Sequence, residues 1–367
     1  QTRSERFSSA DVADFSPVSG REPEWKLSPV AKLAPLLDGP LEGSRYDITA
    51  TQAPGFTVAW ATSQDAPRGV AGLAEDRAAA NAWSQSSEVL ILDIEGEHSE
   101  TLHLSRSRMG SNPRAAHTII HVRPNAHATL VVESSGDALL GENVELDIQD
   151  GAQVQIVFVQ DWNHGAIQYA NHFARVAKDA SLTHIAVSLG GDVVILNPST
   201  QLEGAGAQGH LWGAYFADAT QHLEHRVYVH HVGPNTVSRV TYKGALHGKG
   251  ARTVWVGDVL IGAHAVGTDS YEQNRNLVLS DGTRADSIPN LEIMTGDIAG
   301  AGHASATGRF DDEQLFYLQS RGIEELDARR LVVMGFLVDV VSKIRDSDLV
   351  ATLTAKIQAK LSATEEN

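Results

Sequence analysis

Cysteine is absent from all 367 residues. That excludes disulfides, and it excludes any metal site built wholly from this chain's own thiolates. Positive charge is scarce: 29 Lys and Arg stand against 46 Asp and Glu, for a formal net charge of -17. Wrapping a phosphate backbone needs a basic surface and counterion release, so nucleic acid is excluded as a partner, and a polybasic membrane anchor with it. No apolar run reaches the roughly 20 residues of a spanning helix. The start Gln1-Thr2-Arg3-Ser4-Glu5-Arg6 is too polar for a signal peptide, which makes the cytoplasm the expected compartment. No Gly-rich loop ending in Gly-Lys-Ser/Thr occurs, so ATP has no P-loop here. Tight Asn-Gly hairpins are scarce too, which weighs against a sandwich of antiparallel strands.

What is present divides the chain in three. Residues 1–85 are expected to be helical and loop-rich. Trp25 to Leu37 places Leu27, Val30, Leu33 and Leu37 on one helical face, with Pro29 and Pro35 limiting its regularity. Residues 72–84 read as a short alanine-rich helix, and Phe56, Val58 and Trp60 alternate as in a strand. Residues 86–305 change character. Short β-branched runs such as Val89-Leu90-Ile91-Leu92 and Val154-Gln155-Ile156-Val157-Phe158-Val159 have strand length. Small turns precede them: Pro124-Asn125-Ala126, Asp150-Gly151-Ala152, Lys178-Asp179-Ala180, Ala205-Gly206-Ala207 and Gly233-Pro234-Asn235, spaced by roughly 26 to 28 residues. Gly248-Lys249-Gly250 follows after only about 16. Strand–turn units of fixed period with little helix between them favour a coiled β architecture, a parallel β-helix, over a sandwich. Residues 306–367 are expected to be a helical domain. Asp311 to Gln314 reads as a capping box, Asp312 to Arg321 as a helix stopped by Gly322, and two longer apolar helices follow.

The 16 histidines run from His98 to His303. His117 and His121 lie four apart on one strand face; His222 with His225, and His230 with His231, have no convincing third ligand in sequence. Asp281-Gly282-Thr283-Arg284-Ala285-Asp286-Ser287 resembles a catalytic segment, but a turn and strand held by an Arg–Asp pair accounts for it.

Three blocks then carry a likeness. They are Asn274 to Ile293, Gly302-His303-Ala304-Ser305-Ala306-Thr307-Gly308, and Leu315-Phe316-Tyr317-Leu318-Gln319-Ser320-Arg321-Gly322-Ile323. In this order and spacing they resemble the C-terminal signature of the SufB/SufD family, which scaffolds iron–sulfur cluster assembly. Arg21 to Val30 and Thr268 to Asn276 also look like family segments. The resemblance implies a mainly β protein: a right-handed parallel β-helix core flanked by an N-terminal helical and loop region and a C-terminal helical domain. It is nearer the SufD branch, because Ala301 stands where the family's Cys-Ser-His-Gly-Ala stretch has its thiol, while His303 keeps register.

The likeness implies a non-catalytic scaffold subunit with two partners. A SufB-like subunit would share a transient iron–sulfur cluster or iron at the interface, with His303 as this chain's ligand. A SufC-like ABC ATPase would dock on the C-terminal helices through Asp312, Phe316, Tyr317 and Arg321. Self-pairing as a homodimer remains open when the partner is missing. An imidazole suits this role, since it replaces thiolate on one iron of some clusters, with its second ring nitrogen held by an acceptor. Glu224, His230 and Asp258 are further candidates for lining a path towards that interface. Two rival readings stand beside it: a β-helix enzyme cleaving acidic polysaccharide, and a structural adaptor in which His303 is inert.

Overall fold

The computed structural model describes residues 6–309 and 312–363, with the side chains of 312–314 outside that description. The strands coil into a parallel β-solenoid of about eight turns. Two nine-stranded sheets line it, one ending in Gly300–Gly308 and the other in Arg284–Ile293. Pairing is antiparallel only at the start, where Thr49–Ala50 meets Leu102–Arg106 and Phe56–Thr62 meets Glu88–Ile94. The parallel β-helix expected from the strand–turn period is what the chain builds.

The corners explain the period. Asn125, Gly151, Asp179, Gly206 and Asn235 all adopt positive φ, between 55° and 74°. Gly enters that region freely, and Asn or Asp at modest cost. Each is followed by a fully buried residue, Ala126, Ala152, Ala180, Ala207 and Thr236 in turn. Successive corners stack through the backbone, Asn125 N donating to Asp150 O and Gly151 N to Lys178 O, both at 2.9 Å. A Cβ on Gly151 would meet Asn125 Oδ1 at 2.4 Å, so side-chain-bearing corners alternate with glycine. The turn at Gly248–Gly250 is not part of this column. It joins Val237–His247 to Arg252–Ile261 at the opposite corner, which accounts for its short offset; the sixth member is Gly267.

Alternate side chains fill the lumen, as strand geometry requires. One column in direct register runs Leu102, Leu130, Ile156, His184, Leu211, Val240, Glu272, His303. Helix α1 (Val30–Leu37) and helix α2 (Arg77–Gln85) cover the outer face of one sheet. Helices α3 (Asp312–Ser320), α4 (Glu325–Val341) and α5 (Ser347–Ala363) follow the last strand. Of these, α4 and α5 bury Val333, Leu337, Leu353 and Ile357 against the outer face of the other sheet.

Two N-terminal helices are shorter than the sequence pattern suggests. Trp25 leaves the helical face to stack on Tyr169, ring centroids 5.5 Å apart, and α1 starts only after Pro29. Helix α2 starts at Arg77 because the chain before it is captured: buried Glu145 accepts the Gly69 and Ala71 N–H groups at 2.8 and 3.1 Å. Asp76 then caps α2 through Ala79 N. The capping box expected at Asp311 lies outside the described residues. No helix among the described residues is long and apolar enough to cross a membrane.

Candidate functional site

The two sheets share one unfinished end. Gly300–Gly308 and Arg284–Ile293 are edge strands, each paired on one side only. Their burial drops accordingly: Ser305 and Thr307, which continue lumen-facing columns, are exposed. Ser305 Oγ donates to Ser287 Oγ at 2.8 Å and ties the two edges together. An uncovered strand edge offers free N–H and C=O groups to another chain.

His303 sits on this last rung. It is the direct register neighbour of Glu272 on the strand before, so both side chains lie on one face. The imidazole is 45% exposed, whereas the Glu272 side chain is 1% exposed. His303 Nδ1 stands 3.9 Å from Glu272 Oε1, too far for a hydrogen bond. Among the described residues no side chain hydrogen-bonds either Glu272 oxygen, and only the Asn290 peptide N–H faces the carboxyl. Burial first, then the nearby Asp258 charge, push this carboxyl up to about 8, outweighing the Asn290 peptide N–H that favours the ionised form.

A cleft of about 380 Å³ opens beside this pair, lined by Arg6, Tyr228, Asp258, Asn290, Glu292 and His303. Arg6 forms its wall: the guanidinium bonds Glu75 at 2.8 Å and Asp258 at 3.2 Å, and lies 3.9 Å from the Tyr228 ring centre. A larger neighbouring cleft of about 610 Å³ includes His230 and His264. Asp258 therefore shares a cleft with His303, and His230 lines the next one. Glu224 lines neither. It is sealed under the N-terminal arm, accepting from Ser28 Oγ at 2.9 Å and pairing with His222 and Arg226. Burial would raise its carboxyl, but Arg226 and His222 hold it down at about 2.

Most of the other histidines singled out in sequence already have a neighbour to bond. His117 and His121 do share a face, but each meets its own carboxylate, Glu145 at 2.8 Å and Asp147 at 3.1 Å. His222 and His225 point to opposite faces: His222 pairs with Glu224, and His225 faces the lumen against Ser188. His231 is closed in by Thr236 and Ser238. Among the described residues, no three His, Asp or Glu side chains are placed to hold a metal by themselves. The Asp281–Ser287 segment is the turn and strand expected of it, with Asp286 held by Arg252 and Arg284.

On the C-terminal helices, Phe316 is 72% and Tyr317 55% exposed, with Leu326 and Leu331 of α4 also uncovered. Arg321 lies over the Tyr317 ring at 4.7 Å. Asp312 opens α3, and its side chain is outside the described residues. Sequence reasoning singled out His303 and passed over Glu272. The missed signal is an all-polar inward column, Ser270, Glu272, Asn274 and Asn276, next to a preceding strand that turns Val240, Tyr242 and Leu246 inward.

The family described as SUF system FeS cluster assembly, SufBD core domain, matches residues 104–336. An iron–sulfur cluster assembly SufBD family protein of Mycobacterium tuberculosis is 43% identical, over 99% of this chain and 94% of its own length. The corresponding protein of Mycobacterium leprae is 41% identical over 98% and 94%. The iron–sulfur cluster assembly protein SufD of Escherichia coli is 28% identical over 71% and 62%.

Proposed function

The chain belongs to the SufBD family of iron–sulfur cluster assembly proteins, and from that premise we propose that it serves as the SufD-type subunit of an assembly complex. It supplies a half-site, and a SufB-like partner completes it across the open end of the solenoid. The observation that carries this reading is the placement of His303: a half-exposed imidazole on the last, one-sided strand, above a lumen that is otherwise closed.

The chemistry follows from what the chain has and lacks. With no cysteine, it offers iron no thiolate, and imidazole is the donor its last rung presents. Sulfur and thiolate must come from the partner. The free edges of Arg284–Ile293 and Gly300–Gly308 give that partner a template for strand addition, which fixes register through backbone bonds. In the partner's absence a second copy of this chain is the competing occupant. ATP hydrolysis falls to a SufC-like ABC ATPase, docked on α3 and α4 through Phe316, Tyr317 and Arg321, because exposed aromatics and Arg dominate binding hot spots. Iron or the nascent cluster is cargo held transiently at the interface; the chain performs no bond-breaking chemistry of its own.

The test is His303→Ala in the reconstituted three-protein complex. Cluster yield is expected to fall at least about ten-fold while the complex still co-elutes, since the residue is exposed and holds up no core. Wild-type yield from that complex would reduce the chain to an adaptor.

A further inference from the structure

The lumen of this solenoid holds an acid that no side chain among the described residues pairs with, and its position decides what completes it. Glu272 is 1% exposed, and apart from the Asn290 peptide N–H no donor among the described residues faces its two oxygens. Buried polar groups in native proteins are almost always paired, and a lone buried carboxyl marks a strain or an absent ligand. The same lumen shows what a satisfied acid looks like: Glu142 takes two bonds from Arg106 and one from Gln168. No such base approaches Glu272. Its nearest titratable neighbours are another acid, Asp258, and the imidazole of His303.

We infer that Glu272 is a metal ligand: with His303 it forms an oxygen–imidazole pair that takes a divalent cation of the Fe2+ class at the mouth of the lumen. The spacing fits. Two ligand atoms on one ion, at bonds of about 2.1 Å each, lie at most about 4.2 Å apart. His303 Nδ1 and Glu272 Oε1 are 3.9 Å apart, inside that limit and beyond hydrogen-bond range. Direct register on adjacent parallel strands fixes the pair by backbone rather than by loop. Behind it, Trp255 and Gly257 close the lumen, since a Cβ on Gly257 would lie 2.3 Å from Glu272 Oε2 and from the Trp255 ring. The carboxyl therefore cannot retreat inward. Carboxylate with imidazole suits Fe2+, Mn2+ or Co2+. Two protein ligands leave most coordination positions empty, and those point across the unpaired edge to water or to a partner's groups.

This inference rests on the reading of His303 as an iron ligand, so its test separates the two. Co2+ alone is added to the isolated chain, and visible ligand-field absorption and thermal melting are followed. The wild type is expected to gain a saturable band and a rise in melting temperature. Glu272→Gln, which keeps size and removes the ligand charge, is expected to weaken that band's affinity by about ten-fold or more and to abolish the rise. His303→Ala is expected to do the same, and the double variant to be no worse than either single one. Reading differences from the wild type cancels ions held by other histidines. Should Glu272→Gln titrate as wild type while His303→Ala loses the band, Glu272 is no ligand and the reading of His303 stands. Should both titrate as wild type, this chain binds no cation there, and cluster yield of the complex still judges the broader role. A metal-free melting curve of Glu272→Gln at or above the wild type shows the fold intact and keeps either result decisive.

Discussion

Glu142 and Glu272 face the same lumen, each 1% exposed, and the fold treats them oppositely. Glu142 lies in the early turns and is neutralised within the chain by Arg106, itself braced by Ser134. Glu272 lies one strand from the end, with no Lys or Arg among the described residues to pair with and only the Asn290 peptide N–H facing it. The early turns have neighbours on both sides and pair their buried carboxylates Glu142, Glu145 and Asp147 within the chain. The last turn has one neighbour, half-buried strands and a buried acid that no side chain among the described residues neutralises. On the proposed reading the two ends have different purposes: one is a finished scaffold, and the other is a half-site.

The largest expected effect comes from making the early acid resemble the late one. Arg106→Met leaves Glu142 buried without its counter-charge, with only Gln168 still donating to it, and should cost about 3–5 kcal/mol in a urea unfolding curve. A loss below about 1 kcal/mol would mean that pairing in the lumen is dispensable, and the contrast would collapse.

Acid should expose the finished part next. Burial lowers His172, His225 and His231 to about 3, so the folded chain keeps them neutral. An unfolded imidazole takes its proton near 6.5. The stability these groups hold is therefore full above that value and is lost as pH falls towards 3, by about 1.4 kcal/mol per pH unit for each group. Melting temperatures between pH 7 and pH 4 measure the slope, and His225→Gln should flatten it. An unchanged slope would place that imidazole in contact with water.

At the unfinished end the same kind of change should run the other way. Glu272→Gln removes an unsatisfied acid and is expected to leave metal-free stability equal or higher by about 1 kcal/mol. Glu142→Gln, by contrast, should destabilise. The smallest effect belongs to the helices. Phe316→Ala, at an exposed site, should stay within about 0.5 kcal/mol in stability while reducing capture of the ATPase in a pull-down. Undiminished capture would move the docking surface elsewhere.

The solenoid was legible because its corners repeat: a left-handed Asn, Asp or Gly before a small buried residue is a local demand written in sequence. The starts of α1 and α2 were not, because distant groups set them: the Tyr169 ring that draws in Trp25, and the Glu145 carboxylate that takes two backbone N–H groups. His303 stood out through its motif and its glycine neighbours. Glu272 did not, since a lone Glu in a polar run looks solvated until register places it beneath Val240 and beside His303. Sequence periodicity shows which residues share a face, but only three-dimensional stacking shows which of them lack a partner.

The most direct test of the half-site uses a complex in which only this chain carries 15N-labelled histidine. Pulsed electron paramagnetic resonance on the reduced cluster should then show 15N coupling to the iron, and His303→Ala should remove it. A cluster of normal yield with no nitrogen coupling from this chain would contradict the account.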